Sequence, residues 1–153
     1  MHAVRTMTLV PRGKRRPGER AGARESSAGV SFDHVCRLAA ELPGIERGMA
    51  YGTPALRVRG KFLLRLKEDG ESVAIRVPME TREMLLAADP EVFYITDHYR
   101  GYAAILFRLA AIRRGQLTDL LELAWRFVAP RRLVVAHDAA ASAPRARAPR
   151  PRR

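Results

Sequence analysis

Apolar and polar residues alternate with a period of two from Ala55 to Val77, the signature of half-buried antiparallel strands. Asp69-Gly70 is a strong hairpin signal, because both central positions of a type I′ turn need positive φ. Folding about it pairs Lys67 with Ser72, Leu66 with Val73, Arg65 with Ala74, Leu64 with Ile75, Leu63 with Arg76 and Phe62 with Val77. Directly opposed residues share a face. One face therefore carries Phe62, Leu64, Leu66, Val73, Ile75 and Val77, and the other carries Arg65, Lys67 and Arg76 around Leu63. Upstream, a three-residue loop Arg59-Gly60-Lys61 places Val58 opposite Phe62, Arg57 opposite Leu63 and Leu56 opposite Leu64, which continues the partition. A two-residue loop would shift this register and break the partition.

Helical periodicity flanks this sheet. Ser31 is placed to cap a helix reaching Leu42, with Asp33 in its positive first turn and Pro43-Gly44 as its stop. Ile45 to Pro54 reads as a link. After Pro78, a short helix over Glu80 to Ala88 is expected to bury Met84, Leu85 and Ala88, and Asp89-Pro90 ends it. Val92 to Thr96 and Tyr102 to Leu109 read as strands joined by a turn over Asp97 to Gly101. A last helix from Leu117 to Val128 carries Leu117, Leu120, Leu121, Ala124 and Val128 on one stripe, beside which Trp125 is expected as a packing anchor. The expected fold is α+β: a two-layer sandwich of a five-stranded antiparallel sheet with helices on one face, in the order α-β-β-β-α-β-β-α.

Charge changes this picture mainly at the ends. The 153 residues carry 28 Lys and Arg against 16 Asp and Glu, a net charge of +12. Most of the excess lies in residues 1–29 and 136–153, which are rich in Arg, Ala, Gly, Pro and Ser and lack periodicity. Such segments bury too little apolar surface to offset the entropy of ordering, so both are expected to be disordered tails around one domain at 30–135. Val30, directly before the first patterned residues, is an expected alternative start of translation. Basic tails invite phosphate neutralisation. However, only Lys14, Lys61 and Lys67 are lysines, and an Arg-Ala-Gly-Pro bias is also what GC-rich coding produces. The lone Cys36 lies on an apolar stripe and excludes an internal disulfide framework. No apolar run approaches the roughly 20 residues of a membrane span, and a cytoplasmic setting is expected.

Several short motifs occur in order: Leu42-Pro43-Gly44, Tyr51-Gly52-Thr53-Pro54, Val58-Arg59-Gly60-Lys61-Phe62, Ala87-Ala88-Asp89-Pro90, Thr96-Asp97-His98-Tyr99-Arg100-Gly101-Tyr102, and Ala124-Trp125 leading to Ala129-Pro130. Together they resemble the bacterial MmcQ/YjbR family from about Phe32 to Leu133. The resemblance implies a two-layer sandwich on an antiparallel sheet and a DNA-binding role, the latter drawn from likeness to a double-wing fold. The chain departs from the family pattern at Ala103-Ala104, where Pro-Trp is common, and at Leu56, where Phe is common.

Candidate chemistry follows the outer sheet face. Arg57, Arg65, Lys67 and Arg76 are expected there, joined by Arg108 and by Tyr94 and Tyr102 from the last two strands. Cations that neutralise phosphates beside aromatics that stack bases are what a nucleic-acid platform requires, and a solvated or protein-binding face shares the pattern. Asp97-His98-Tyr99 is the cluster nearest to acid–base chemistry, but no nucleophile, cofactor fingerprint or second carboxylate is placed beside it. Turn chemistry accounts for Asp97, His98 and Tyr99, as it does for Tyr51 and Gly52, and a ligand pocket between these two turns is the alternative. Gly13-Lys14-Arg15 lacks the upstream Gly and following Ser or Thr of a phosphate loop. The four histidines lack metal-ligand spacing, so neither a metal nor a cofactor is expected. The expected function is a small non-enzymatic module that binds DNA weakly and with little sequence preference. A protein-interaction or small-ligand module is the alternative, and an enzyme comes third. Oligomeric state is left open.

Overall fold

Ser31 caps the first helix as its side chain allows: its Oγ accepts a hydrogen bond from the His34 amide at 3.1 Å, opening α1 (Phe32–Ala39). Val35, Cys36 and Ala39 are buried beneath it, and burial pushes the Cys36 thiol pKa up. The computed structural model describes residues 29–143. Residues 1–28 of the tail expected over 1–29, which a start at Val30 would remove, and residues 144–153 of the tail expected over 136–153 lie outside that range. Gly29 and Val30 donate their amides to the carbonyls of Ile112 and Leu109.

Four antiparallel strands follow in a meander: β1 (Ile45–Ala50), β2 (Thr53–Val58), β3 (Lys61–Leu66) and β4 (Ser72–Arg76). With β5 (Phe93–Tyr94) and β6 (Ala104–Arg108) they form a six-stranded sheet in the order β1-β2-β3-β4-β6-β5. The sheet gains one strand over expectation, because the stretch read as a link is β1. Glu46, Arg47 and Gly48 interrupt its alternation, and an edge strand exposed to solvent tolerates such residues. β5 is shorter than Val92 to Thr96, and β6 begins at Ala104, so Tyr102 lies in a loop.

The predicted β3–β4 register holds: Leu64 pairs Ile75, Arg65 pairs Ala74 and Leu66 pairs Val73. The turn chemistry differs. Only Gly70 is left-handed, its amide donates to the Lys67 carbonyl at 3.0 Å, and Asp69 Oδ1 accepts from the amides of Glu71 and Ser72. Asp69 thus acts through its side chain, as Asp commonly does in turns, and avoids the type I′ conformation.

Between β2 and β3 two registers coexist. Leu56 pairs Leu64 as expected, but Arg57 pairs Phe62 and Val58 pairs Lys61, with a β-bulge between. The connection is the two-residue turn Arg59-Gly60, with φ of 49° and 82°. Leu63 is the extra residue of the bulge, which turns two consecutive side chains toward one side. Leu63 is therefore fully buried with Leu64, correcting its expected place on the basic face, and Phe62 moves out of the core opposite Arg57.

α2 (Met79–Ala88) buries Arg82. Met84 is 69% exposed, Ala88 is exposed and Leu85 only half-buried, so the expected apolar side of this helix is corrected. α3 (Arg114–Val128) buries the whole predicted stripe together with Trp125, whose Nε1 donates to the Pro43 carbonyl at 2.8 Å. α4 (Arg131–Ser142) extends into the segment expected as a tail from residue 136. Leu133 and Val134 pack on the core, the His137 ring meets Trp125 edge-on at 4.9 Å, and Asp138 pairs Arg126. These contacts order an Ala-rich stretch that composition alone leaves unstructured.

The main core lies between the sheet and the face occupied by α1 and α3. A smaller cluster on the opposite face joins Ala74, Ala104 and Leu106 to Tyr99. Among the described residues no helix is long and apolar enough to cross a membrane.

Candidate nucleic-acid interface

The loop from Ile95 to Ala103 crosses the outer face of the sheet. A 3-10 turn, Asp97–Tyr99, drops the Tyr99 ring onto Ala74 and Leu106. The loop is held from below by Arg82, only 4% exposed, whose guanidinium donates to the carbonyls of Tyr99 (3.1 Å), Arg100 (3.2 Å) and Tyr102 (2.9 Å). Arg82 was absent from the sequence-based candidates. The available signal was its spacing, three residues from both Met79 and Leu85, which puts it on the same side of α2.

On the other flank, the β1–β2 hairpin turns through Tyr51-Gly52, with φ of 52° and 78°. Thr53 Oγ1 donates to the Ala50 carbonyl at 3.0 Å and closes this turn. Loop and hairpin wall a cleft of about 1080 Å³ over the basic face of the sheet. Arg57, Arg65, Lys67 and Arg76 line it from the strands, Tyr51 from the hairpin, and His98, Tyr99 and Tyr102 from the loop. Phe62, brought outward by the bulge, and Glu68 also line it. Ala103 and Ala104 complete its lining.

The cations divide into two kinds. Arg65 is 5% exposed, and its guanidinium donates to Glu68 Oε1 at 3.0 Å, Tyr99 Oη at 3.3 Å and Thr53 Oγ1 at 3.3 Å, with the Tyr51 ring 5.0 Å away. Burial alone would lower its pKa, and the bonds to Glu68 and Tyr99 outweigh that and raise it. Lys67 pairs Glu68 at 3.4 Å and sits 5.1 Å from the Tyr99 ring. Glu68 is the one carboxylate among the lining residues. Its own backbone amide, then Arg65, hold its carboxyl down to about 2, so it remains charged at neutral pH. These groups form an internally matched floor. By contrast, among the described residues Arg57 donates to the Met49 carbonyl alone, at 3.0 Å, and Arg76 lies over the Phe127 ring at 5.2 Å. Neither has a carboxylate partner among the described residues.

Three sequence-based candidates stand apart from the cleft. Tyr94 donates to Ser72 Oγ at 2.7 Å, with the Arg108 guanidinium 4.2 Å from its ring, and Arg108 also donates to the Glu91 carbonyl. Asp97 is exposed and paired with Arg100 at 2.6 Å. His98 packs against two rings, Tyr99 at 5.1 Å and Tyr102 at 6.0 Å. Among the described residues no three His, Cys, Asp or Glu side chains gather as a metal site.

Comparison with known proteins places this architecture. Uncharacterized proteins of Mycobacterium bovis and of Mycobacterium tuberculosis are 43% identical to the chain over 68 residues, covering 44% of this chain and 53% of theirs. The chain thus spans about half the length of the curated relatives it matches. The profile described as YjbR matches residues 40–127, from the end of α1 through nearly all of α3, and the chain belongs to the YjbR family.

Proposed function

We propose that the chain is a non-enzymatic module that binds DNA weakly and with little sequence preference through the basic outer face of its sheet. The observation that carries this reading is the pair of uncompensated guanidinium groups, Arg57 and Arg76, in one cleft with exposed tyrosines. Uncompensated cations release the counterions of a phosphate backbone, and such contacts confer affinity without reading sequence. The basic stretches outside residues 29–143 add charge of the same sign. The non-enzymatic part is supported by the state of Glu68, whose backbone hydrogen bond and bond from Arg65 make it a poor proton donor at neutral pH, and by the packing of His98 against two tyrosine rings.

One observation favours a second reading. The cleft is concave and of the size that small-molecule sites have, which suits a small anionic ligand as well as a polymer. Fluorescence anisotropy of labelled DNA with the full chain, repeated across salt concentrations, separates the two. Arg57→Glu combined with Arg76→Glu should weaken binding and lower the log–log salt slope by about two, near 0.9 for each lost phosphate contact. Unchanged affinity and slope would remove this face as the DNA site and leave the small-ligand reading.

A further inference from the structure

We propose that the cleft receives an unpaired nucleotide, its base on the rings of Tyr51 and Tyr102 and its phosphate at Arg57 and Arg76. The proposal rests on the DNA-binding reading and narrows it to single-stranded or locally opened DNA.

Tyr51 is the first observation. It is 84% exposed at the tip of a hairpin, yet it occupies the left-handed region with φ of 52°. Asn or Gly adopts that conformation cheaply, whereas a bulky residue there is strained, and strain of this kind concentrates at working sites. The ring buries little in return. The buried Arg65 guanidinium, 5.0 Å from the centroid, anchors the ring over the cleft and leaves most of it in solvent.

Tyr102 is the second. It is 60% exposed on the facing loop, and its backbone is fixed, because its carbonyl accepts from the buried Arg82 and its amide donates to the Tyr99 carbonyl. The site therefore presents two exposed aromatic rings from opposite walls, each on a held backbone. Such preorganisation reduces the ordering cost of binding.

The third observation is the division of the cations. Arg65 and Lys67 are matched by Glu68 and Tyr99 and hold the floor, while Arg57 and Arg76 are available to a phosphate. In a duplex the base faces are covered by their neighbours, so tyrosines in a concavity have nothing to stack on. An unpaired base exposes its π face, and its phosphate remains within reach of arginine.

The test uses the full chain with fluorescein-labelled dT12, a 12-base-pair blunt duplex and free dTMP as competitor, all at one low salt concentration. Expected is binding of dT12 at least tenfold tighter than of the duplex. Tyr51→Asn and Tyr102→Ala should each weaken dT12 by about tenfold, the size of effect that stacking gives on truncation, and leave the duplex unchanged. Tyr51→Asn should do so without lowering Tm, since it relieves the left-handed strain; a purely structural tyrosine would show the opposite. Displacement of dT12 by dTMP, sensitive to the same variants, would assign the cleft to the nucleotide unit itself and make free nucleotides a second source of ligand. Equal binding of dT12 and duplex, indifferent to both tyrosine variants, overturns the proposal and leaves DNA binding by the basic face standing. Binding of neither DNA nor dTMP overturns both.

Discussion

Leu63 shows how one residue redistributes a face. Strict alternation sends it outward among Arg57, Arg65 and Arg76, yet it is fully buried because the bulge adds one residue to β3. Leu63→Ala should therefore cost about 2–5 kcal/mol as a core truncation, against the few tenths of a surface change, and urea unfolding followed by circular dichroism would read the difference. The bulge was hidden because period-two reasoning assumes one constant register, and the partition of residues upstream of Arg57 is the same with or without it. The positive φ of Arg59 was equally hidden. Asp69-Gly70 does mark the turn, but Asp69 satisfies the turn amides with its carboxylate instead of adopting positive φ. Arg65 lies on the outer face, and its burial there follows from Tyr99 and Glu68, which lie outside its own strand pair.

At the scale of elements, the Ile95–Ala103 loop depends on α2 through one side chain. Arg82→Met keeps the apolar stem and deletes the donor to three carbonyls, each bond contributing about 1 kcal/mol net. Amide exchange at Tyr99, Arg100 and Tyr102 should then speed up by tenfold or more, while the amides of Leu64 and Ile75 in the central strands keep their protection; hydrogen-exchange mass spectrometry or NMR resolves the two groups. Elements of strong periodicity, such as α3 and the central hairpin, were legible with small errors at their ends. β1 and α4 were not. The first is an edge strand with two charges and a glycine in succession, and the second is an Ala-rich helix whose order comes from packing on Trp125 and pairing with Arg126.

At the scale of the whole molecule, strand alternation placed Arg57, Arg65, Lys67 and Arg76 on a common face, and the structure keeps them together. That Tyr51 and the His98–Tyr102 segment wall the same cleft could not be read, because it depends on β6 crossing to pair β4 and on the path of the loop that precedes it. The same strand order has a kinetic consequence. β1 to β4 are joined in sequence by connections of a few residues, so each pairing closes a short loop at small entropic cost, whereas Trp125 must find Pro43 across 82 residues. Folding should accordingly start in the meander, with the last helices docking after the rate-limiting barrier. Leu56→Ala should chiefly slow refolding and Trp125→Phe chiefly hasten unfolding in stopped-flow chevrons; the reverse pattern would place the barrier in helix docking. A chain built this way leaves the ribosome with β1 to β4 paired before α3, which completes the cover that α1 begins, has been synthesised, so the part of the apolar face beneath α3 is the surface that folding intermediates present to the cell.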